Sequence, residues 1–337
     1  MKNLLYLFLI GILFSCGGEG EDELNPEEPD VNGEPKEYIV SLGMTGEIEI
    51  SESPLLGRAS SDDLYGVQVY SKTDKTSSAY AYGLFDDKSK MIIKLLEGYK
   101  YTFEVTMIID GKNKIYKNKS GEYSLPFATN NEGTMLENTF IYESSKSMNK
   151  LNWGFSNLVD DNSSIQNFKI PNTDRYYGKI TDYTPTDNGN VSIDMKRVSF
   201  GAKFVSEGLA EGKLTISIQN APELNIIYGE TTEAQDIFTF ENAVSSSIQG
   251  YWTDDDYSET IPVSVSWEKS DGAIIPIVTG QLITFKRKTL TTITIKVKDT
   301  SVNNGVEINQ EPGNLIDGDN ITLESGTGVD SPVEPNV

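Results

Sequence analysis

Three acids in a row, Asp254-Asp255-Asp256, flanked by Trp252 and Tyr257, form the densest group of potentially reactive side chains. Such carboxylates can bind calcium or act as an acid–base pair. A glycosidase, however, needs two carboxyls at a fixed separation across a cleft. Neighbours on one loop do not supply that, so the trio reads as a solvated acidic loop. Asp317-Gly318-Asp319-Asn320 echoes a calcium loop but lacks the later ligands and flanking helices of an EF-hand, and reads as a turn. Trp153, Trp252 and Trp267, with 17 tyrosines, offer rings for a sugar platform. Aromatic rings also favour strands, and Trp267, on an alternating stretch, is expected in the core. The chain has no histidine, which excludes Ser-His-Asp and Cys-His catalysis, His-ligated zinc and a histidine pH switch. No catalytic residue, metal ligand or cofactor is assigned, and the chain is expected not to be an enzyme.

The single cysteine, Cys16, has a different chemistry in prospect. Lys2 is the only charge before it, and Leu4 to Phe14 is an apolar run of 11 residues. A membrane-crossing helix needs about 20, whereas a cationic start, a short apolar run and a small residue describe a secretory signal. Leu13-Phe14-Ser15-Cys16 resembles a bacterial lipobox, although Phe14 is larger than the small residue usual there. In such a motif the thiol takes a diacylglycerol, the signal is cut before the cysteine, and the new amino terminus is acylated. Several acyl chains, at ~0.8 kcal/mol per buried methylene, anchor a protein far more firmly than one.

Loss of residues 1–15 removes Lys2 and no acid, leaving 27 basic and 51 acidic residues, a formal charge of −24. That balance excludes nucleic acid, whose phosphates require a basic surface, and a peripheral protein held by anionic lipid. Residues 16–36 carry prolines and like charges with almost nothing apolar to bury, so they read as a disordered acidic tether. Acids directly after the lipidated cysteine also resemble the surface-export signals of some Gram-negative outer-membrane lipoproteins. Display on the outer face of the outer membrane follows as the expectation.

From Glu37 onward the pattern is strand after strand. Leu64 to Tyr70, Tyr99 to Met107, Val191 to Met195, Leu214 to Ile218, Ile261 to Trp267 and Thr291 to Val297 alternate with period two. Gly, Asn and Asp turns separate them, among them Asp110-Gly111 and Asp187-Asn188-Gly189-Asn190. Thr231 to Phe240 is the only helix candidate. Many short strands without long helices indicate all-β sandwiches, and the length suggests two of them. The expected organisation is a signal over 1–15, the tether over 16–36, β-domains over 37–187 and 188–325, and a loose tail over 326–337.

Three stretches carry a resemblance to the fimbrillin-like lipoproteins, subunits of a class of bacterial surface pili. They are Leu64-Tyr65-Gly66-Val67-Gln68-Val69-Tyr70, Val191-Ser192-Ile193-Asp194-Met195-Lys196-Arg197-Val198, and Phe285 to Ile295. The Arg197 strand departs from that pattern, because Ser199-Phe200-Gly201 precede Ala202-Lys203. The resemblance implies two tandem transthyretin-like antiparallel β-sandwich domains and a structural or adhesive role in a fimbria. It also implies removal of an N-terminal strand by cleavage after an arginine, and filling of the vacated groove by a neighbouring subunit's strand. Leu55-Leu56-Gly57-Arg58-Ala59-Ser60 fits such a site, with cleavage between Arg58 and Ala59; a solvated loop arginine is the plainer reading. Expected partners are other pilus subunits by β-strand addition, the outer membrane through the lipid, and a host or bacterial surface ligand. The alternative is a glycan-binding surface lipoprotein of a nutrient-uptake system.

Overall fold

The computed structural model describes residues 35–46, 62–73, 76–130, 132–159, 165–242, 254 and 256–297, with the backbone of 307–313 and 321–324. The first half begins with β1 (Glu37–Gly46), β2 (Leu64–Lys72), β3 (Ser77–Phe85), β4 (Ile92–Leu96) and β5 (Lys100–Ile108). A long connection follows. It contains two short hairpins, β6 (Glu122–Tyr123) with β7 (Thr134–Met135), and β8 (Ser156–Val159) with β9 (Ile165–Phe168). β10 (Arg175–Tyr183) and β11 (Gly189–Arg197) complete this half. The second half comprises β12 (Ser199–Glu207), β13 (Lys213–Ile218), β14 (Leu224–Ile227), β15 (Glu233–Thr239), β16 (Ser258–Glu268), β17 (Ile274–Lys286), β18 (Leu290–Lys296), β19 (Glu307–Gly313) and β20 (Ile321–Glu324). The protein is all-β, as its period-two patterning requires.

The first half is built on one seven-stranded sheet in the order β3-β2-β5-β10-β11-β1-β4. One face buries Tyr38, Val40, Leu42, Val67, Val69, Phe85, Phe103, Ile193 and Met195 in a common core. The sheet rolls up on this core, so that Tyr80 on one edge strand donates its hydroxyl proton to the Lys94 carbonyl on the other, at 2.9 Å. The outer face of β2, β3 and β5 is covered by the long connection, which packs Ile115, Phe127, Met148 and Leu151 onto Leu64, Leu84 and Ile108. In the second half a five-stranded sheet, β15-β12-β18-β19-β20, and a four-stranded sheet, β14-β13-β16-β17, share a core centred on Phe200, Phe204, Phe238, Phe240 and Phe285.

One sequence candidate is corrected. Thr231 to Phe240 is not helical: Glu233–Thr239 pairs antiparallel with β12, and Phe238 and Phe240, two residues apart, both enter the aromatic core. Asp187-Asn188 turns the chain within the first sheet, where Gly189–Arg197 pairs with β1 and β10. Passage to the second half comes at Val198, whose amide donates to the Arg175 carbonyl at 2.8 Å. A strand is assigned to a domain by its partners, and turn chemistry does not reveal them.

Candidate strand-exchange site

β1 occupies a slot between two strands that are remote from it in sequence. Val40–Gly46 runs parallel to Gly189–Met195 of β11, while Glu37–Ser41 runs antiparallel to Leu96–Ile92 of β4. This parallel pair stands in a sheet whose other neighbouring strands are antiparallel. Further main-chain contacts fix the register: the Leu42 amide donates to the Met91 carbonyl at 2.9 Å and the Glu97 amide to the Lys36 carbonyl at 2.8 Å. The Ile39 amide donates to Asn188 Oδ1 at 2.7 Å.

The side chains show why this strand sits here. Tyr38, Val40 and Leu42 alternate inward and are buried to 4%, 0% and 4% exposure, whereas Ile39 faces out. Burial of each large apolar side chain contributes about 1.5–3 kcal/mol, so any strand taking this place must present comparable residues at alternate positions. Polar contacts at the rim are weaker. Lys94 meets Glu37 at 3.4 Å with both side chains more than half exposed, a geometry that contributes little. The Tyr38 hydroxyl donates to Glu97 Oε1 at 3.2 Å.

The two walls of the slot are backed differently. β11 pairs with β10 over Tyr176–Gly178 and Met195–Arg197, and its end is clamped by the Arg197 guanidinium, which donates to both Asp174 oxygens at 2.8 and 2.7 Å. β4 is the sheet's last strand and pairs only with β1. Its far edge meets tyrosine hydroxyls instead of another strand.

Beyond the slot, Arg175 is wholly buried and has no carboxylate partner among the described residues. It donates to the Trp153 carbonyl through Nη1 and to the Leu151 carbonyl through Nη2, the latter at 2.9 Å. Burial pushes its guanidinium down to about 9, so it stays charged at neutral pH. Arg287, also buried, donates to the carbonyls of Asp254 and Arg197. Both act as structural ties between turns and strands.

The residues singled out from the sequence fall as follows. Cys16, Arg58 and Ala59 lie outside the described residues, as do Trp252, Asp255 and Asp317-Gly318-Asp319-Asn320. Arg58 belongs to the segment joining β1 to β2. Asp256 is exposed and paired with Lys286 at 2.6 Å. Among the described residues no three acids, cysteines or histidines gather as a metal cluster. Trp267 is in the core as expected, with its indole N–H on the Glu211 carbonyl at 2.8 Å. Trp153 is exposed, with the Lys150 ammonium 3.2 Å from its ring centre and Phe155 tilted 57° to it. Sequence reasoning missed the slot's walls; the alternation of Tyr38, Val40 and Leu42 was the signal that a buried strand begins the fold.

No protein-family model matches the chain, and no curated protein matches it. Among solved structures it is similar to a C-terminally truncated tip fimbrial protein, Mfa3 from Porphyromonas gingivalis. The identity is 12% and the TM-score 0.37, over 82% of this chain and 99% of that one. A putative adhesin from Bacteroides ovatus matches at 9% identity and a TM-score of 0.39, over 86% of this chain and 96% of that one. A putative polysaccharide-binding protein from Bacteroides thetaiotaomicron matches at 8% identity and a TM-score of 0.37, over 82% and 98%.

Proposed function

We propose that this chain is a non-enzymatic structural and adhesive subunit of a cell-surface fimbria, anchored as a precursor through lipidated Cys16. Cleavage after Arg58 frees β1, and a strand from a neighbouring subunit takes its place. One observation carries the reading: the first strand of the fold is hydrogen-bonded on both sides, fills the core with three alternate side chains, and precedes Arg58. Strand addition gains affinity from main-chain hydrogen bonds and specificity from pockets for alternate side chains. No described strand precedes β1, so it can leave without unthreading any other described strand. The chain's other arginines, Arg175, Arg197 and Arg287, are buried or nearly so, so an arginine-specific protease meeting the folded chain finds those three enclosed.

The glycan-binding alternative gains no comparable support. Coplanar exposed rings would favour it, yet Trp267 is buried and the face of Trp153 is covered by Lys150. Intact mass and N-terminal sequencing of protein recovered from the native cell surface test the proposal. The expected result is an N-terminus at Ala59 in high-mass assemblies. A lipid-modified Cys16 on the full chain, in monomeric form, would overturn the polymerising role.

A further inference from the structure

β4 has two edges, and only one faces β1. In an antiparallel ladder the backbone groups of alternate residues point to opposite sides. Met91 and Glu97 bond toward the β1 side, so Ile93 and Leu95 do the same, leaving Ile92, and beyond it the pair Lys94 and Leu96, to face away. Both polar groups of both residues are nevertheless satisfied, and tyrosine hydroxyls satisfy all four. Lys94 N–H donates to the Tyr142 hydroxyl at 2.9 Å, and Lys94 C=O accepts from Tyr80 at 2.9 Å. Leu96 N–H donates to the Tyr101 hydroxyl at 2.8 Å, and that hydroxyl donates back to Leu96 C=O at 3.1 Å.

The rings come from elements that do not depend on β1. Tyr80 is on β3 and Tyr101 on β5. Tyr142 is positioned by the two backbone bonds between Ile141 and Tyr82, at 2.8 and 3.0 Å. Tyr80 packs edge-on against both other rings, at 5.2 Å from Tyr101 and 5.6 Å from Tyr142. An edge strand that loses its only neighbour keeps no ladder to hold its register, and a lone strand is not stable in water; Met91, Ile93 and Leu95 remain in the core, but apolar burial does not satisfy the backbone.

We infer that the hydroxyls of Tyr80, Tyr101 and Tyr142 hold β4 in place when β1 is absent, so that the slot persists as a two-walled groove for the incoming strand. This rests on the strand-exchange reading above and makes the three tyrosines positioning residues for it. They also occupy the edge at which another chain would otherwise pair out of place.

The test uses the full chain cut at Arg58 and an isotopically labelled synthetic peptide of the sequence Lys36 to Gly46. Labelled peptide incorporated into the cut chain is measured by mass, alongside amide exchange over residues 91–99. Wild-type protein should take up peptide while β4 stays protected. In Tyr80→Phe/Tyr142→Phe, which keeps both rings, β4 exchange should rise about tenfold once β1 is displaced, and uptake should slow to match, the scale expected for one or two lost hydrogen bonds. The uncut double variant should change little, since the β1 ladder still holds β4. An equal change before and after displacement would show a merely structural role and overturn the inference. So would uptake and β4 exchange identical to wild type. If wild type takes up no peptide, strand exchange itself fails, and this inference with it.

Discussion

Among the described strands, each half of the molecule contains one parallel pair among antiparallel neighbours, and the two pairs are placed differently. In the first half β1 runs parallel to β11 and is the first strand of the fold. In the second half β12 runs parallel to β18, and both are interior, with β15 beyond β12 and β19 beyond β18. Withdrawing β1 breaks two ladders and opens a slot, yet no other strand loses its place in the chain's path. Withdrawing β18 would unthread the five-stranded sheet. The same pairing geometry is therefore removable in one half and permanent in the other, and position along the chain makes the difference. The backing differs too. The second half packs its two sheets together through stacked rings, Phe200 of β12 against Phe285 of β17 at 4.5 Å, whereas the first closes on itself through tyrosine hydroxyls at β4.

That contrast is most exposed by matched core truncations. Phe200→Ala removes a wholly buried ring and should cost about 3–5 kcal/mol. The loss should be the same in the uncut chain and in a chain whose β1 has been replaced by another strand. Leu42→Ala should cost about 2–5 kcal/mol in the uncut chain, and nothing once a donor strand occupies the slot. Denaturant unfolding of both forms decides it. A Leu42→Ala penalty that survives replacement would mean β1 never leaves.

A smaller effect should separate the halves without touching β1. Arg175→Met leaves the Leu151 carbonyl without the Nη2 donor, although Thr106 still donates to it, and removes the Nη1 bond to Trp153. An unsatisfied buried carbonyl costs about 1–3 kcal/mol, while loss of a buried charge returns part of this. A net loss of roughly 1–2 kcal/mol is expected, confined to the first half, because Leu151 and Trp153 lie in its covering segment. Hydrogen exchange should speed in β2 and β5 and stay unchanged in β13 and β16. Equal acceleration in both halves would show that the junction transmits the loss.

The all-β class was legible because period-two alternation and glycine-bearing turns are local signals. Trp267 was legible for the same reason, since its strand alternates without a break. The partners of β1 were not. Nothing local to Tyr38-Ile39-Val40 announces that Ile39 will meet Asn188, 149 positions away, and parallel pairing leaves no hairpin to read. The helix candidate at Thr231–Phe240 is a strand because tertiary pairing with β12 overrode a weak local pattern. The tyrosine contacts on β4 were hidden as well, since Tyr80, Tyr101 and Tyr142 converge only once the sheet has rolled. Cys16, Arg58 and Ala59 remain sequence readings.

The smallest expected effect distinguishes the halves by the sign of their response to acid. In the first half, burial raises the Asp86 carboxyl, but hydrogen bonds from Lys112, at 2.5 Å, and from Asn138 outweigh it and hold the group below its ordinary range. In the second, burial lifts Glu259 above its ordinary range despite hydrogen bonds from Tyr257 and the Asn242 amide, with the Glu241 carboxylate adding to the rise. The unfolded chain binds the Asp86 proton more readily than the native one. Stability from Asp86 is therefore full above about pH 4 and is lost as pH falls through the native value. For Glu259 the native state binds the proton more readily. Its cost is full above the native value and is relieved as pH falls through that value toward about 4. Acidification should thus loosen β3 while tightening β16, as hydrogen exchange between pH 3 and 7 would show. Asp86→Asn should flatten the first slope and weaken the half at neutral pH. Glu259→Gln keeps an acceptor for Tyr257 and should stabilise β16 at pH 7 with the benefit fading toward pH 4. Slopes of one sign in both halves would mean that the net charge of −23, and not these two carboxyls, governs the response to acid.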